Sequence, residues 1–295
     1  MNLLRQWQPD LQSLKKFLAN GVKDFMEKLI ITIAPTGNVP TKSMTEHVPV
    51  TAEEITRDIV TCYGKGAAVA HIHARDEQQA PTTDSKYFGK IVQMLEQEKC
   101  PIIQQISTGA RGGKSGEARV EALAFNPISA SLCPGSSNFP KSINANEPAV
   151  VDYMCKVMLE KNIKPEIEVF DTAMIQNAVN LQKAGLLQGP LLFNLVLGVK
   201  GSMPATAKNL FFLIDSLPPD AVWSVSVIGP QHVSLSTVAI ALGGHVRVGI
   251  EDNIYYSKGE LATNPALVER VVKIAQAVGR EVAKSDDVRR IWGIS

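Results

Sequence analysis

The chain is short of nearly everything that marks a specialised surface. Its 30 Lys and Arg stand against 29 Asp and Glu, a formal charge of +1, so no field of one sign exists to gather nucleic acid or an anionic membrane. Its 4 cysteines, Cys62, Cys100, Cys133 and Cys155, are widely spaced and form no C-x-x-C. That excludes a zinc knuckle and a disulfide scaffold, and points to a reducing, cytoplasmic compartment. No apolar run is long enough to span a bilayer. In residues 1–25, Leu4, Trp7, Leu11, Leu14 and Leu18 keep helical spacing, but there is no clean apolar region with a small-residue cleavage site, and Asp10 and Asp24 argue against a transit peptide. This stretch reads as an N-terminal helical extension, with the catalytic domain over 26–295. With 45% hydrophobic residues in 295, the chain can bury a full core, and a small molecule is its default partner.

From Lys28 the chain alternates short apolar runs with longer helical patterns. Strands are expected at Leu29–Ala34, Ala67–His73, Ile102–Ser107, Ser129–Leu132, Glu166–Phe170, Leu191–Leu197, Trp223–Val227 and Val246–Ile250, with helix-like segments between them and a last helix at Pro265–Ala283. Such alternation implies parallel strands joined by helical crossovers, and eight repeats close a (β/α)8 TIM barrel. A doubly wound sheet is the other arrangement this pattern allows. Active sites on the barrel sit at the C-terminal ends of the strands. Those ends carry Thr36 and Asn38, His71 and His73, Ser107 and Thr108, Ser131 and Cys133, Glu168 and Asp171, Asn194, Gln231, then Glu251 and Asp252.

The second strand, Val69-Ala70-His71-Ile72-His73-Ala74-Arg75-Asp76, ends an apolar run with two imidazoles two residues apart, hence on one face. Two histidines side by side in a dry place either hydrogen-bond within the core or hold a divalent cation, and the cation needs a third ligand. In His245-Val246-Arg247-Val248-Gly249-Ile250-Glu251-Asp252 the apolar residues alternate with Arg247, Gly249 and Glu251, so Arg247 and Glu251 face the barrel interior. Strands two and eight contribute to one layer, which brings Glu251 within reach of His71 and His73. A His₂Glu set with an open position is the pattern of a catalytic zinc; a Glu251–Arg247 salt bridge is the alternative use of that carboxylate.

These segments, together with Ala34-Pro35-Thr36-Gly37, Gln105-Ile106-Ser107-Thr108-Gly109 and Pro165-Glu166-Ile167-Glu168-Val169-Phe170-Asp171, resemble the β-keto acid cleavage enzymes, the family of the 3-keto-5-aminohexanoate cleavage enzyme. The resemblance runs in order from about Lys28 to the C-terminus. It implies a zinc-dependent TIM barrel, a homotetramer, that converts a β-keto acid and acetyl-CoA into acetoacetate and a new acyl-CoA. It further implies zinc on His71, His73 and Glu251, Asp252 as the base with Arg247 setting its charge and position, and Ser107 and Glu168 supporting substrate and intermediate. An acid this close to an arginine is expected to titrate low. Ser131 stands where the family shows threonine and keeps the hydroxyl; with Thr36, Asn38, Thr108 and Gly109 it is a candidate for binding substrate. In the subfamily with an amine-bearing substrate an acid follows the first turn, whereas Ala34–Pro40 contains no carboxylate. An uncharged or hydroxylated keto acid is the expectation.

Other signals carry less. Gly109–Ser115 would be a phosphate loop only with glycine at 108, where Thr108 stands, although Arg111 or Lys114 could still touch a CoA phosphate. Cys133 beside a thioester site suggests an acyl-enzyme, but no histidine lies near to activate it, and a buried, inert thiol is expected. His47, His232 and His245 read as surface or packing residues, and Gly198-Val199-Lys200-Gly201 as a shaped loop. Among rival functions, amidohydrolase-type enzymes place H-x-H on the first strand rather than the second. A CoA-independent aldolase would use the same metal and base.

Overall fold

The computed structural model describes residues 26–109, 114–140 and 142–294. The expected extension 1–25 and Arg111 lie outside the described residues. Eight strands form the barrel: β1 (Ile31–Ile33), β2 (Val69–Ile72), β3 (Ile103–Ile106), β4 (Ser129–Leu132), β5 (Lys164–Val169), β6 (Leu192–Leu197), β7 (Val222–Val227) and β8 (His245–Val248). Each pairs in parallel with its sequence neighbours, and β8 returns to β1 to close the ring. Eight helices follow the strands in turn: α1 (Ala52–Lys65), α2 (Ser85–Gln97), α3 (Gly116–Val120), α4 (Pro148–Glu160), α5 (Thr172–Lys183), α6 (Ala207–Asp215), α7 (His232–Ala241) and α8 (Asn264–Ala277). The (β/α)8 barrel expected from the alternation is the observed fold.

Local chemistry explains where the helices start. Thr51 opens α1 with a capping box: its hydroxyl accepts from the Glu54 N–H at 3.2 Å, and the Glu54 carboxylate accepts from the Thr51 N–H at 3.3 Å. The side chains of Thr206 and Thr263 cap α6 and α8 in the same way.

The strands have two unlike faces, and the difference positions the site. Ile31, Ile33, Ala70, Ile72, Val246 and Val248 alternate outward into the cluster shared with the helices. The inward set changes character along the barrel axis. At the N-terminal end Ile30, Val69, Ile103 and Leu192 form an apolar floor. Above it the same strands present buried polar groups, among them Thr32, His71, Gln105, Glu166, Asn194 and Arg247. Apolar residues close the bottom, so the polar chemistry can gather only at the top.

A helix not foreseen in the sequence seals that floor. The expected helix Pro265–Ala283 stops at Ala277; the chain turns at Gly279, and a separate α9 (Ser285–Trp292) packs Val288 and Trp292 under the barrel. The break aims Arg280 at the carbonyls of Glu27 (2.8 Å), Ile240 (3.1 Å), Gly243 (3.0 Å) and Gly244 (2.6 Å). An arginine donating to four carbonyls at a buried corner is worth more than one further helical turn.

His245 begins β8 as a packing residue, as expected. Its Nδ1 accepts from the Ile30 N–H at 3.0 Å, and burial beside the Arg280 guanidinium pulls its pKa down to about 3. The folded ring stays neutral where an unfolded chain takes up a proton, so the stability it contributes is present at neutral pH and is lost as pH falls below about 6.5 toward about 3. His245→Gln cannot titrate. Urea unfolding at about pH 7 and about pH 5 should therefore show the wild type losing about 2 kcal/mol more than the variant. Equal losses would mean that the ring is protonated in the fold.

Candidate active site

A cavity of about 560 Å³ opens at the C-terminal end of the barrel, and its floor carries His73, Ser107, Glu168, Arg247, Glu251 and Asp252. His71 and His73 converge with Glu251 from β2 and the end of β8, with one ligand-type atom from each within 4.8 Å of the others. The two Nε2 atoms lie 3.3 Å apart, and Glu251 Oε1 is 3.3 Å from that of His73 and 3.8 Å from that of His71. His71 Nδ1 donates to Gln105 Oε1 at 2.7 Å, which leaves the Nε2 lone pair aimed at the cluster. Burial, then the positive Arg247, pulls His71 down to about 3, so it is a neutral ligand-type imidazole. Glu251 Oε2 is buried and has no hydrogen-bond partner among the described residues. Glu251 thus faces both imidazoles through Oε1 while its Oε2 is left without a partner; a buried carboxylate with spare acceptor capacity beside two imidazoles is what a divalent cation satisfies, and the donor set fits zinc.

Arg247 joins this cluster to three carboxylates. Its Nε and Nη2 each donate to one Asp252 oxygen at 3.0 Å, its Nη2 also to Glu251 Oε1 at 2.7 Å, and its Nη1 to Glu168 Oε1 at 3.3 Å. The Glu251–Arg247 salt bridge posed as an alternative to ligation is therefore present, but it occupies one oxygen and leaves the other free. Burial works to raise the Glu251 carboxyl, yet Arg247 and the two imidazoles overcome it and hold the group well below the usual carboxylate range. Asp252 goes the other way. Burial pushes it up to about 6 against the pull of Arg247, with the Glu251 and Glu168 carboxylates adding to the rise. This reverses the low value expected from the arginine alone, because three acids share one guanidinium in a dry place.

Several residues that shape the site were not singled out in the sequence. Gly37, at φ +61°, packs so tightly on Glu251 that a Cβ there would lie 2.3 Å from Glu251 Cγ. Arg75 is buried and ties the loop after β2 to the loop after β1, donating to Thr36 Oγ1 (3.2 Å) and to the carbonyls of Gly37 (2.8 Å) and Pro40 (2.8 Å). Asn264 donates to Pro35 O at 3.0 Å and accepts from the Ile250 N–H at 2.8 Å, clamping the β1 and β8 ends together. Asn253 does the same between β8 and β7, donating to Val227 O at 2.7 Å. The signal for Arg75 was available: a charged residue continuing a fully apolar strand must find buried partners.

The remaining predicted residues divide into two groups. Asn38, Ser107 and Gly109 line the cavity with the charged floor. Thr36, Thr108 and Ser131 do not: the Thr36 hydroxyl serves Arg75, and Thr108 donates from Oγ1 to Ser131 O at 2.6 Å and from its N–H to Ser131 Oγ at 3.2 Å. Their hydroxyls hold loops rather than face the cavity. Cys133 is buried, donates to Gly135 O at 3.1 Å and is pushed up by burial to about 12, the inert thiol that was expected. Asp171 caps α5, and Asn194 lies within β6, fully buried. Lys114 reaches Thr83 Oγ1 at 3.0 Å.

Comparison with known proteins places the same residues in a wider frame. The family model described as beta-keto acid cleavage enzyme matches residues 28–294. The chain is 42% identical over 272 residues to the 3-keto-5-aminohexanoate cleavage enzyme of Fusobacterium nucleatum subsp. nucleatum, covering 91% of this chain and 99% of that one. It is 36% identical over 269 residues to the 3-oxoadipate:acetyl-CoA acetyltransferase of Cupriavidus necator, covering 90% and 94%. Among solved structures, the apo structure of ObcA superposes with a TM-score of 0.75 at 24% identity, covering 84% of this chain and 65% of that one, a likeness of fold.

The close packing of Gly37 on Glu251 gives a direct test of the cluster. Gly37→Ala should displace the Glu251 side chain and weaken divalent-metal binding by about tenfold to a hundredfold, the range seen when a group that orients a ligand is lost. Competition against a chromogenic chelator measures it. Unchanged affinity would remove Glu251 from the ligand set.

Proposed function

The chain belongs to the beta-keto acid cleavage enzyme family, and from that premise we propose that it is a zinc-dependent acyltransferase, condensing a β-keto acid with acetyl-CoA to give acetoacetate and a new acyl-CoA. One observation carries the reading: the His71, His73 and Glu251 cluster, with a free carboxylate oxygen, shares a cavity floor with an acid held by an arginine. Relatives named for keto acid cleavage and for acetyl-CoA transfer support it. Four free thiols fit a reducing cytoplasm.

His71, His73 and Glu251 would hold the zinc, which when bound would supply Lewis-acid polarisation of the keto group. The chain's own residues do the rest. Asp252 takes the proton from the carbon between carboxylate and ketone; a carboxyl displaced upward toward neutrality suits a base that must also return the proton. Arg247 holds both Asp252 oxygens, fixes the direction of that transfer and offsets the charge left on the substrate. Glu168, held by the same guanidinium, and Ser107, which lines the same cavity from the end of β3, orient the substrate. The resulting carbanion attacks the acetyl carbonyl; the C–C bond forms as the C–S bond breaks and CoA thiolate leaves. The thiolate then attacks the original ketone, the bond between that carbon and its carboxylate-bearing neighbour breaks, and the acetoacetate carbanion is reprotonated by Asp252. Atoms balance with no further reactant.

The first experiment is an acyl-CoA mass-spectrometric assay of the zinc-loaded protein with acetyl-CoA and a panel of β-keto acids. Appearance of a new acyl-CoA with stoichiometric acetoacetate is the expected result. Loss of keto acid without consumption of acetyl-CoA would instead support a CoA-independent aldolase on the same floor. His73→Ala should lose zinc and turnover together. Asp252→Asn should keep zinc and lose about a hundredfold to ten-thousandfold in kcat, the usual worth of a positioned base.

A further inference from the structure

The cavity is divided between a charged floor and an uncharged wall, and the division bears on which keto acid enters. Every carboxylate that lines the cavity is on the floor and already engaged: Asp252 and Glu168 by Arg247, and Glu251 by Arg247 and the imidazoles. The wall is built of apolar side chains such as Met44, Phe139, Val196, Val199 and Ile254. Among the described residues, one charged side chain interrupts it. Lys200 lines the cavity, and its ammonium has no hydrogen bond or ion pair among the described residues.

Lys200 is held there by a built loop. The turn Gly198–Met203 closes through Gly198 N–H to Met203 O at 2.9 Å and Ser202 N–H to Val199 O at 3.0 Å. Gly198 (φ +91°) and Gly201 (φ +102°) lie so close to Ile228 O and Asn138 O that a Cβ would come within 2.2 Å and 2.6 Å of them. Only glycine allows that path, and the path fixes the lysine backbone between the loops that follow β7 and β4.

We propose that Lys200 reads the distal end of the substrate, accepting a β-keto acid whose tail ends in a carboxylate and rejecting one whose tail carries an ammonium group. The inference rests on the β-keto acid reading above and names its substrate class. One argument supports it. Among the described residues, a tail reaching from the floor along an apolar wall meets one charge, and it is positive; an ammonium there finds no free carboxylate of the described lining and meets repulsion instead. Identity to relatives does not decide the matter. Chains named for an amino keto acid and for 3-oxoadipate resemble this one to similar extents, at 42% and 36% identity.

The test uses three β-keto acids of equal chain length with acetyl-CoA: 3-oxohexanoate, 3-oxoadipate and 3-keto-5-aminohexanoate, with kcat/KM read from acyl-CoA formation. Wild type should prefer 3-oxoadipate. Lys200→Met should lose about tenfold on 3-oxoadipate, the worth of one charge-assisted hydrogen bond, with 3-oxohexanoate and the KM for acetyl-CoA unchanged. Lys200→Glu should invert the order in favour of the amino acid substrate. The residue is exposed on a loop, so both variants should fold, and unaltered turnover of 3-oxohexanoate reports that they have. Equal effects on all three acids, or an effect on the KM for acetyl-CoA alone, would overturn the assignment. No acyl-CoA from any acid would instead overturn the proposed reaction itself.

Discussion

Everything at the top of the barrel depends on one guanidinium. Arg247 is buried on β8 and donates to Asp252, Glu251 and Glu168, three acids that would repel one another in its absence. Set against three carboxylates it leaves an excess of two negative charges, which a divalent cation on His71, His73 and Glu251 would neutralise. The site is thus complementary to a dication in total charge as well as in ligand geometry. Arginine suits the position where lysine would not, because only the planar fork meets three carboxylates at fixed angles. Burial also separates the acids: Glu251 is held ionised by its cationic neighbours, while Asp252 is displaced toward neutrality. A ligand and a proton acceptor are the two roles those environments favour.

The rest of the upper barrel keeps that cluster from relaxing. Gly37 packs on Glu251, Arg75 bonds the β1 loop to the β2 loop, and Asn264 and Asn253 fasten the β8 end to its neighbours on both sides. Gln105 fixes the His71 ring from the adjacent strand, where the two residues are in register. These hydrogen bonds run to backbone carbonyls and N–H groups and to the side chains of Thr36, Asp58 and His71. An imprecise cluster would lose its fit to a cation at shifts well under an ångström, so the investment goes into position rather than added contacts.

How much of this was legible in the sequence follows from the range over which each feature is determined. The alternation of eight strands and helices is local, and it gave the barrel with strand boundaries off by a residue or two, while the helices expected to end at Ala124 and Ala283 stop at Val120 and Ala277. The inward direction of His71, His73, Arg247 and Glu251 follows from period two within a strand, and the cluster they form is the one expected. The pKa of Asp252 was misjudged because its largest cause, burial, is not visible from sequence spacing, nor is Glu168, 84 positions away, whereas Arg247 and Glu251, which are visible, act in opposite directions. Thr36, Thr108 and Ser131 stand where a strand-end rule places contacts, yet turn to support loops, because a hydroxyl satisfied nearby has no reason to reach the cavity. The helix at Ser285–Trp292 was missed because its reason for existing, an apolar floor needing cover, belongs to the closed barrel and not to its own pattern.

The same distinction separates reaction from selection in this molecule. The groups proposed for chemistry stand on strands or within four residues past their C-terminal ends, close to the paired barrel backbone, and their identity is fixed by the reaction. The wall stands on loops such as Gly198–Met203, whose path is set by glycine contacts with backbone and not by the side chain presented. A substitution at Lys200 leaves that path intact, whereas one at Arg247 leaves buried carboxylates unpaired at a cost of roughly 3–5 kcal/mol. Chains of this family can therefore share a floor while differing along the wall. Among the described residues the wall of this chain is apolar with one cation, Lys200, the residue proposed to read the substrate tail.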